Sequence, residues 1–148
     1  GKRVGSLYAG VDDFAVYTPK FDTSFTYTTP YETRSGSFQQ ALCFPEYIQQ
    51  RDWFNGNPYV YYSGGDFGVS TIVNESDPDG PTVVLLRESF SCALTPFLAL
   101  SCGKLVTIDL RYFEGDLSST LAELQPDLVT LLYSASSFRL ENLFEFGL

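Results

Sequence analysis

Three short apolar runs, TVVLLRE (82–88), KLVTIDL (104–110) and DLVTLLY (127–133), are separated by two segments with a different period. A continuous apolar run bounded by turn residues is the pattern of a strand covered on both faces. In SFSCALTPFLALSC (89–102), Leu94, Phe97, Leu98 and Cys102 recur at helical spacing, and DLSSTLAEL (116–124) is a second helical segment. Pro96 costs the first helix a hydrogen bond unless it falls in an early turn or bends the segment. Strand, helix, strand, helix, strand at this spacing predicts an α/β fold, a parallel sheet with right-handed crossovers. In the doubly wound arrangement the first strand of such a set often lies in the middle, and sites gather outside the carboxyl ends of the strands. FRLENLFEF (138–146) reads as a closing helix.

The texture changes near residue 80. SDPDGP (76–81) cannot continue a strand or a helix, because two prolines and a glycine stand among turn-forming aspartates. Before it, FAVYT (14–18), SFTYT (24–28) and PYVYY (58–62) alternate apolar and polar residues as strands of hairpins do. YSGGDFG (62–68) reads as a turn, a close backbone approach or a plain loop, and PEYIQQRDWF (45–54) as a short helix. Two regions follow: a β-rich segment over 1–81 and a βαβαβ half-domain over 82–148, together read as a fragment of one larger domain. The chain of 148 residues begins Gly-Lys-Arg and contains no Met, which fits a processed product or an expressed fragment.

Eighteen acidic against nine basic side chains give a formal charge of -9, which repels nucleic-acid backbones and anionic membrane surfaces. No stretch approaches the roughly 18 apolar residues of a membrane span. The 10 tyrosines and 13 phenylalanines fit a packed, β-rich domain. Cys43, Cys92 and Cys102 show no paired zinc spacing, and the chain has no histidine, so no metal or cofactor is expected. On a helix over 90–101, Cys92 and Cys102 would stand about 15 Å apart, so the cysteines read as buried thiols. Asn74-Glu75-Ser76 spells a glycosylation acceptor that has meaning only in a secreted eukaryotic chain.

Ser89 stands between the first apolar run and the first helical segment. From spacing alone it is either the cap of a helix or a nucleophile at the top of a central strand. The hydrolase elbow G-x-S-x-G is not present, since Arg87 and Ser91 occupy its glycine positions. A phosphoacceptor built on Asp109 would need a cluster of acidic residues after the first strand, which the sequence lacks. Asp109 and Arg111 either orient a polar ligand or pair with each other at the sheet edge.

VVLLRESFSCALTPFLAL, then LVTIDLRYF, then PDLVTLLYSASSF resembles the C-terminal half of the DHHW family of bacterial SGNH-hydrolase-like proteins, relatives of the alginate O-acetyltransferase type. That pattern runs as an apolar strand, Asp-Ser-Phe or Asp-Ser-Tyr, a helix containing Pro-Phe-Leu, and Asp-x-Arg-Tyr ending the next strand. The resemblance covers about residues 82–138 and implies a flavodoxin-like, SGNH-type three-layer fold, here partial.

It also implies that Ser89 is the catalytic nucleophile, with Glu88, Ser91, Asp109 and Arg111 in support. The histidine and aspartate partners belong to an Asp-x-His motif lying earlier in the full protein. Glu88 replaces the usual aspartate, and Ser91 and Cys92 stand where Gly and Asn are common. Two function classes follow. One is the serine-bearing part of a carbohydrate O-acetyltransferase or acetyl esterase, inactive alone because a carboxylate is a poor base for a serine hydroxyl. The other is a noncatalytic surface or binding module. The implied partner is an acetylated carbohydrate or cell-wall glycan, the implied location is extracytoplasmic, and an uncovered sheet edge predicts a homodimer.

Overall fold

The computed structural model describes residues 15–49, 57–135 and 137. In chain order the elements are β1 (Phe25–Thr28), β2 (Thr33–Gly36), α1 (Phe38–Leu42), α2 (Glu46–Gln49), a 3₁₀ turn (Pro58–Tyr61), β3 (Val69–Asn74), β4 (Thr82–Arg87), a second 3₁₀ turn (Ser89–Ala93), α3 (Thr95–Ala99), β5 (Lys104–Ile108), α4 (Leu117–Leu124) and β6 (Leu128–Leu132). They build an α/β fold around one six-stranded sheet of order β2-β1-β3-β5-β4-β6.

The three apolar runs form the parallel part, with β4 between β5 and β6 as the doubly wound pattern predicts. The sheet as a whole is mixed, because the antiparallel strands of the preceding β-rich segment continue the same sheet beside the parallel set. β3 pairs antiparallel with β5, and β1 and β2 continue outward from it. The physical reason is edge coverage: a bare β5 would expose a row of unpaired amides and carbonyls. β3 supplies the cover, and its burial alternates residue by residue, with Ser70, Ile72 and Asn74 buried, although its sequence VSTIVN does not alternate in polarity. Ser70 and Thr107, opposite each other on β3 and β5, join their hydroxyls at 2.7 Å.

Each face of the sheet carries its own apolar cluster. On one face Leu85 and Leu105 meet Phe38, Leu42 and Ala99, from α1 and α3, together with Phe25, Tyr27 and Ile72. On the other Val84, Leu86, Val106 and Ile108 meet Leu117, Leu121 and Leu124. Those three leucines recur at i, i+4 and i+7 and so share one stripe of α4. Asp116 caps that helix by accepting from the Ser119 amide at 2.7 Å, and Gln125 ends it at φ 47°. Val84, Leu85, Leu105, Val106 and Ile108 are at most 1% exposed, and each such side chain contributes about 1.5–3 kcal/mol on burial.

The helix expected over 89–102 is interrupted. Residues Ser89–Ala93 form a 3₁₀ turn, and α3 begins with Pro96 in its first turn, where the missing amide costs nothing. FAVYT is not a strand over its described residues 15–18. PYVYY is a 3₁₀ turn instead of a strand, because Pro58 fixes φ and Asn57 Oδ1 accepts from the Tyr59 amide at 3.3 Å. Tyr61 and Tyr62 are consecutive yet both buried, with ring centroids 4.9 Å apart, which a strand would prevent by sending them to opposite faces. The turn at 63–65 has positive φ at Ser63, Gly64 and Gly65. The breaker SDPDGP brings Gly80 against Gly103, where a Cβ on Gly80 would lie 2.7 Å from the Gly103 nitrogen. Residues 46–49 of the helix expected over 45–54 are helical; 50–54 and 138–146 lie outside the described residues.

Among the described residues, β6 pairs with β4 alone, and Leu128 and Leu131 on it are 55% and 54% exposed. No helix among the described residues is long and apolar enough to cross a membrane.

Candidate functional site

The three parallel strands end at one rim of the sheet, and each contributes polar residues just past its last pairing. β4 is followed by Glu88 and Ser89, β5 by Asp109 and Arg111, and β6 by Ser134 and Ser137. This convergence is a property of parallel strands, whose carboxyl ends all point one way.

Glu88 is buried, and both of its carboxylate oxygens are used. Oε1 accepts from the Ser134 amide at 2.5 Å and Oε2 from the Ser137 hydroxyl at 2.5 Å. Burial pushes its pKa up, but the hydrogen bonds from Ser137 and Ser134 and the nearby charge of Arg111 pull it further down, so the net shift is below the ordinary value. Glu88 is therefore an ionised clamp between the end of β4 and the segment after β6. Ser91 donates its hydroxyl to the Glu88 carbonyl at 2.6 Å, and the Ser91 amide donates to the same carbonyl at 3.0 Å.

Ser89 is the first residue of the turn, and Glu88 occupies the N-cap position without a side-chain cap bond. The Ser89 hydroxyl, half-buried, makes no hydrogen bond among the described residues. Of the two readings of this serine, the helix cap is not what its side chain does. Thr95 Oγ1 and Ser63 Oγ instead tie the turn down, donating to the carbonyls of Ser91 at 2.9 Å and Cys92 at 3.2 Å.

Asp109 and Arg111 pair directly. Arg111 Nε and Nη2 reach Asp109 Oδ1 and Oδ2 at 2.9 and 2.6 Å, a bidentate contact, and the Arg111 amide donates to Oδ1 at 3.1 Å. They stand just past the end of β5, an interior strand, so the pairing that was one of the two readings of the sequence is made at the rim where the strands end. Hydrogen bonds to Asp109 hold the Arg111 guanidinium above its usual range.

Two further members of the site were not singled out from the sequence. Asp66 Oδ2 accepts from Arg111 Nη2 at 3.2 Å, while Oδ1 lies 3.4 Å from Nη2 of Arg87. Arg87 is 1% exposed, donates to the Gly65 carbonyl at 2.6 Å, and reaches Cys92 Sγ at 2.9 Å. The charges thus alternate in one chain, Arg87, Asp66, Arg111, Asp109, that runs beneath the rim. A single arginine ending an otherwise apolar strand was the available signal for Arg87; its partner, 21 positions away by number, had none. Burial raises the Cys92 thiol pKa against the lowering effect of Arg87, so this sulfur stays protonated. Among the described residues no group of His, Cys, Asp and Glu is arranged to hold a metal ion.

No protein-family model matches the chain, and no curated protein matches it. Solved structures do. PatB1 from Bacillus cereus, in a structure carrying a sulfonyl adduct, superposes with a TM-score of 0.63 at 23% identity, covering 88% of this chain and 44% of that one. A second PatB1 structure gives 0.65 at 24% identity, covering 88% and 42%. A DHHW family protein from Eubacterium siraeum gives 0.58 at 18% identity, covering 88% and 41%. The resemblance read in the motifs is thus met by a DHHW family protein among the structural neighbours, and the likeness establishes a shared fold. The chain spans less than half the length of these structures.

Proposed function

We propose that this chain is the serine-bearing part of an SGNH-like acyl-transfer protein, a carbohydrate O-acetyltransferase or acetyl esterase of the cell envelope or secreted space. The observation that carries the reading is the position of Ser89. Among the described residues its hydroxyl makes no hydrogen bond, and it stands at the carboxyl end of the middle strand of a parallel set, in a fold shared with PatB1. A sulfonyl adduct, which one PatB1 structure carries, forms when an activated nucleophile displaces the leaving group of a sulfonyl reagent, and this supports a nucleophilic site in the shared fold. The two faces of helix covering the sheet fit a partial SGNH-type three-layer arrangement, of which residues 1–81 and 82–148 are successive portions.

In this reading Ser89 Oγ attacks the acyl carbonyl carbon, a new C–O bond forms, and the bond to the donor oxygen breaks. The serine proton passes to a base and from it to the departing donor oxygen. An acceptor hydroxyl then reverses the sequence, taking the acyl group and returning a proton to Ser89. The chain contains no histidine, and Glu88 is engaged at both oxygens, so the base comes from sequence outside these residues. Alone, the chain should be inert.

A second reading is a noncatalytic module. It is favoured by the use of Glu88 and Ser91 as structural ties, which leaves neither free to assist chemistry at Ser89. The sequence upstream of Gly1 in the gene separates the two. An Asp-x-His followed by Trp supports the enzyme, and hydrolysis of an acetyl ester by the longer protein, lost in Ser89→Ala, establishes it. A longer protein with neither the motif nor turnover is the module.

A further inference from the structure

A cleft of about 570 Å³ opens on the same rim. Its walls are the β1–β2 turn with Tyr31, the segment from Asp66 to Val69 that leads into β3, and the segment from Tyr112 to Gly115 that follows β5. This volume falls in the range of about 300–1,000 Å³ seen for small-molecule sites. Gly68 sets two walls in contact, since a Cβ there would stand 2.5 Å from the Tyr112 carbonyl oxygen.

The lining has a definite chemistry. Tyr31 and Tyr112 are 85% and 56% exposed, so their rings do little for the core. Both are nevertheless held: Tyr31 meets the Phe67 ring edge-on at 5.9 Å, and the Arg111 guanidinium lies 5.2 Å from the Tyr112 ring centre. Glu114, exposed on the same wall, has no ion pair or hydrogen bond among the described residues. Arg87 and Arg111 are already matched by Asp66 and Asp109, so Glu114 leaves the cleft acidic, in a chain of formal charge -9.

Ring faces present negative π density to the weakly positive C–H face of a pyranose, and an unpaired carboxylate accepts from sugar hydroxyls or pairs with an ammonium. Polyanions are repelled. Geometry gives the cleft a direction as well. Its walls follow β5 and precede β3, while Ser89 follows β4, and strands lie about 4.8 Å apart, so roughly 10 Å separates cleft and serine along the rim.

We propose that this cleft is a sugar subsite, one that takes a neutral or amino-sugar glycan and disfavours uronate chains, with Tyr31 and Tyr112 as stacking platforms and Glu114 as acceptor. Its use as the acceptor subsite for Ser89 rests on the acyl-transfer reading; its occupancy by sugar does not.

The test is calorimetric titration of the 148-residue chain with three hexamers of matched length, chitohexaose (neutral), chitosan hexamer (cationic) and hexagalacturonate (anionic). Binding is expected for the first two and at least about tenfold weaker for the third. Tyr31→Ala and Tyr112→Ala should each weaken binding about tenfold, and Tyr112→Phe should retain it. No binding by any hexamer overturns the proposal, as does preference for the uronate. Unchanged affinity in the two alanine variants, with unchanged circular dichroism, overturns the placement and leaves the cleft to a protein partner. Intact sugar binding beside an idle Ser89 in the longer protein refutes acyl transfer alone.

Discussion

Arg87 Nη2 stands 3.4 Å from Asp66 Oδ1, joining a guanidinium that is 1% exposed to a carboxylate that is 23% exposed. A buried arginine is tolerated only while its charge is matched, because an uncompensated charge cannot be hydrated there, and here Nε has no hydrogen-bond partner among the described residues. Gly65 and Cys92 take two further contacts, but neither supplies opposite charge. Asp66→Asn should therefore destabilise the fold by about 2 kcal/mol, a value reduced for the partial exposure of the carboxylate. In the background of Arg87→Met the same change should cost less than half as much. Urea denaturation of the four species measures this, and strict additivity would contradict the pairing.

Glu88 gives stability a pH dependence. Its folded pKa lies below the reference value of 4.5, so its contribution is present above that value and lost as pH falls through the folded pKa. Glu88→Gln should be less stable than the parent by about 2 kcal/mol at neutral pH, and the gap should close as pH falls below the ordinary carboxylate range through the folded pKa. A gap that persists at low pH would mean that the carboxylate charge is not what binds Ser134 and Ser137.

Cys43, Cys92 and Cys102 are free and buried, and burial raises the pKa of each. A thiol that is both protonated and shielded reacts slowly with alkylating reagents. Iodoacetamide at about pH 7.5 should leave the native chain unmodified over a period in which the urea-unfolded chain takes up a label at every cysteine. Rapid native labelling of Cys92 would show its surroundings to be open.

What the sequence disclosed and what it hid follow from the range of the interactions. The runs at 82–88, 104–110 and 127–133 were legible because a strand buried on both faces must be apolar throughout, and a local window contains that information. Ser89 at the rim followed from the same alternation. The capping box of α1 is equally local, Ser37 Oγ accepting from the Gln40 amide while Gln40 Oε1 accepts from the Ser37 amide, yet the helix over 38–42 was not read from the sequence. PYVYY misled because alternation of tyrosine and valine looks the same in a strand and in a proline-led turn, until the partners of the rings are known. Asp66 and the two serines that hold Glu88 were beyond reach, since only the order of strands in the sheet brings residues 45 to 49 positions apart into contact.

The outer side of β6 bears on the isolated chain. Its backbone pairs with β4 alone among the described residues, and Leu128 and Leu131 are more than half exposed. Open apolar edges recruit strands from other molecules. Sedimentation at micromolar concentration should show a dimer, and Leu131→Lys should shift it to monomer with its fold intact. A monomeric parent chain would show the edge to be covered.

The account turns on Ser89 being a nucleophile that needs a base from outside this chain. The most direct measurement is intact-mass and peptide mapping after treatment with phenylmethylsulfonyl fluoride, on the 148-residue chain and on the protein expressed with its preceding sequence. The account predicts a single sulfonyl adduct on Ser89 in the longer protein and none on the shorter chain. Stoichiometric modification of Ser89 in the short chain, or a longer protein that is inert at Ser89, would contradict it.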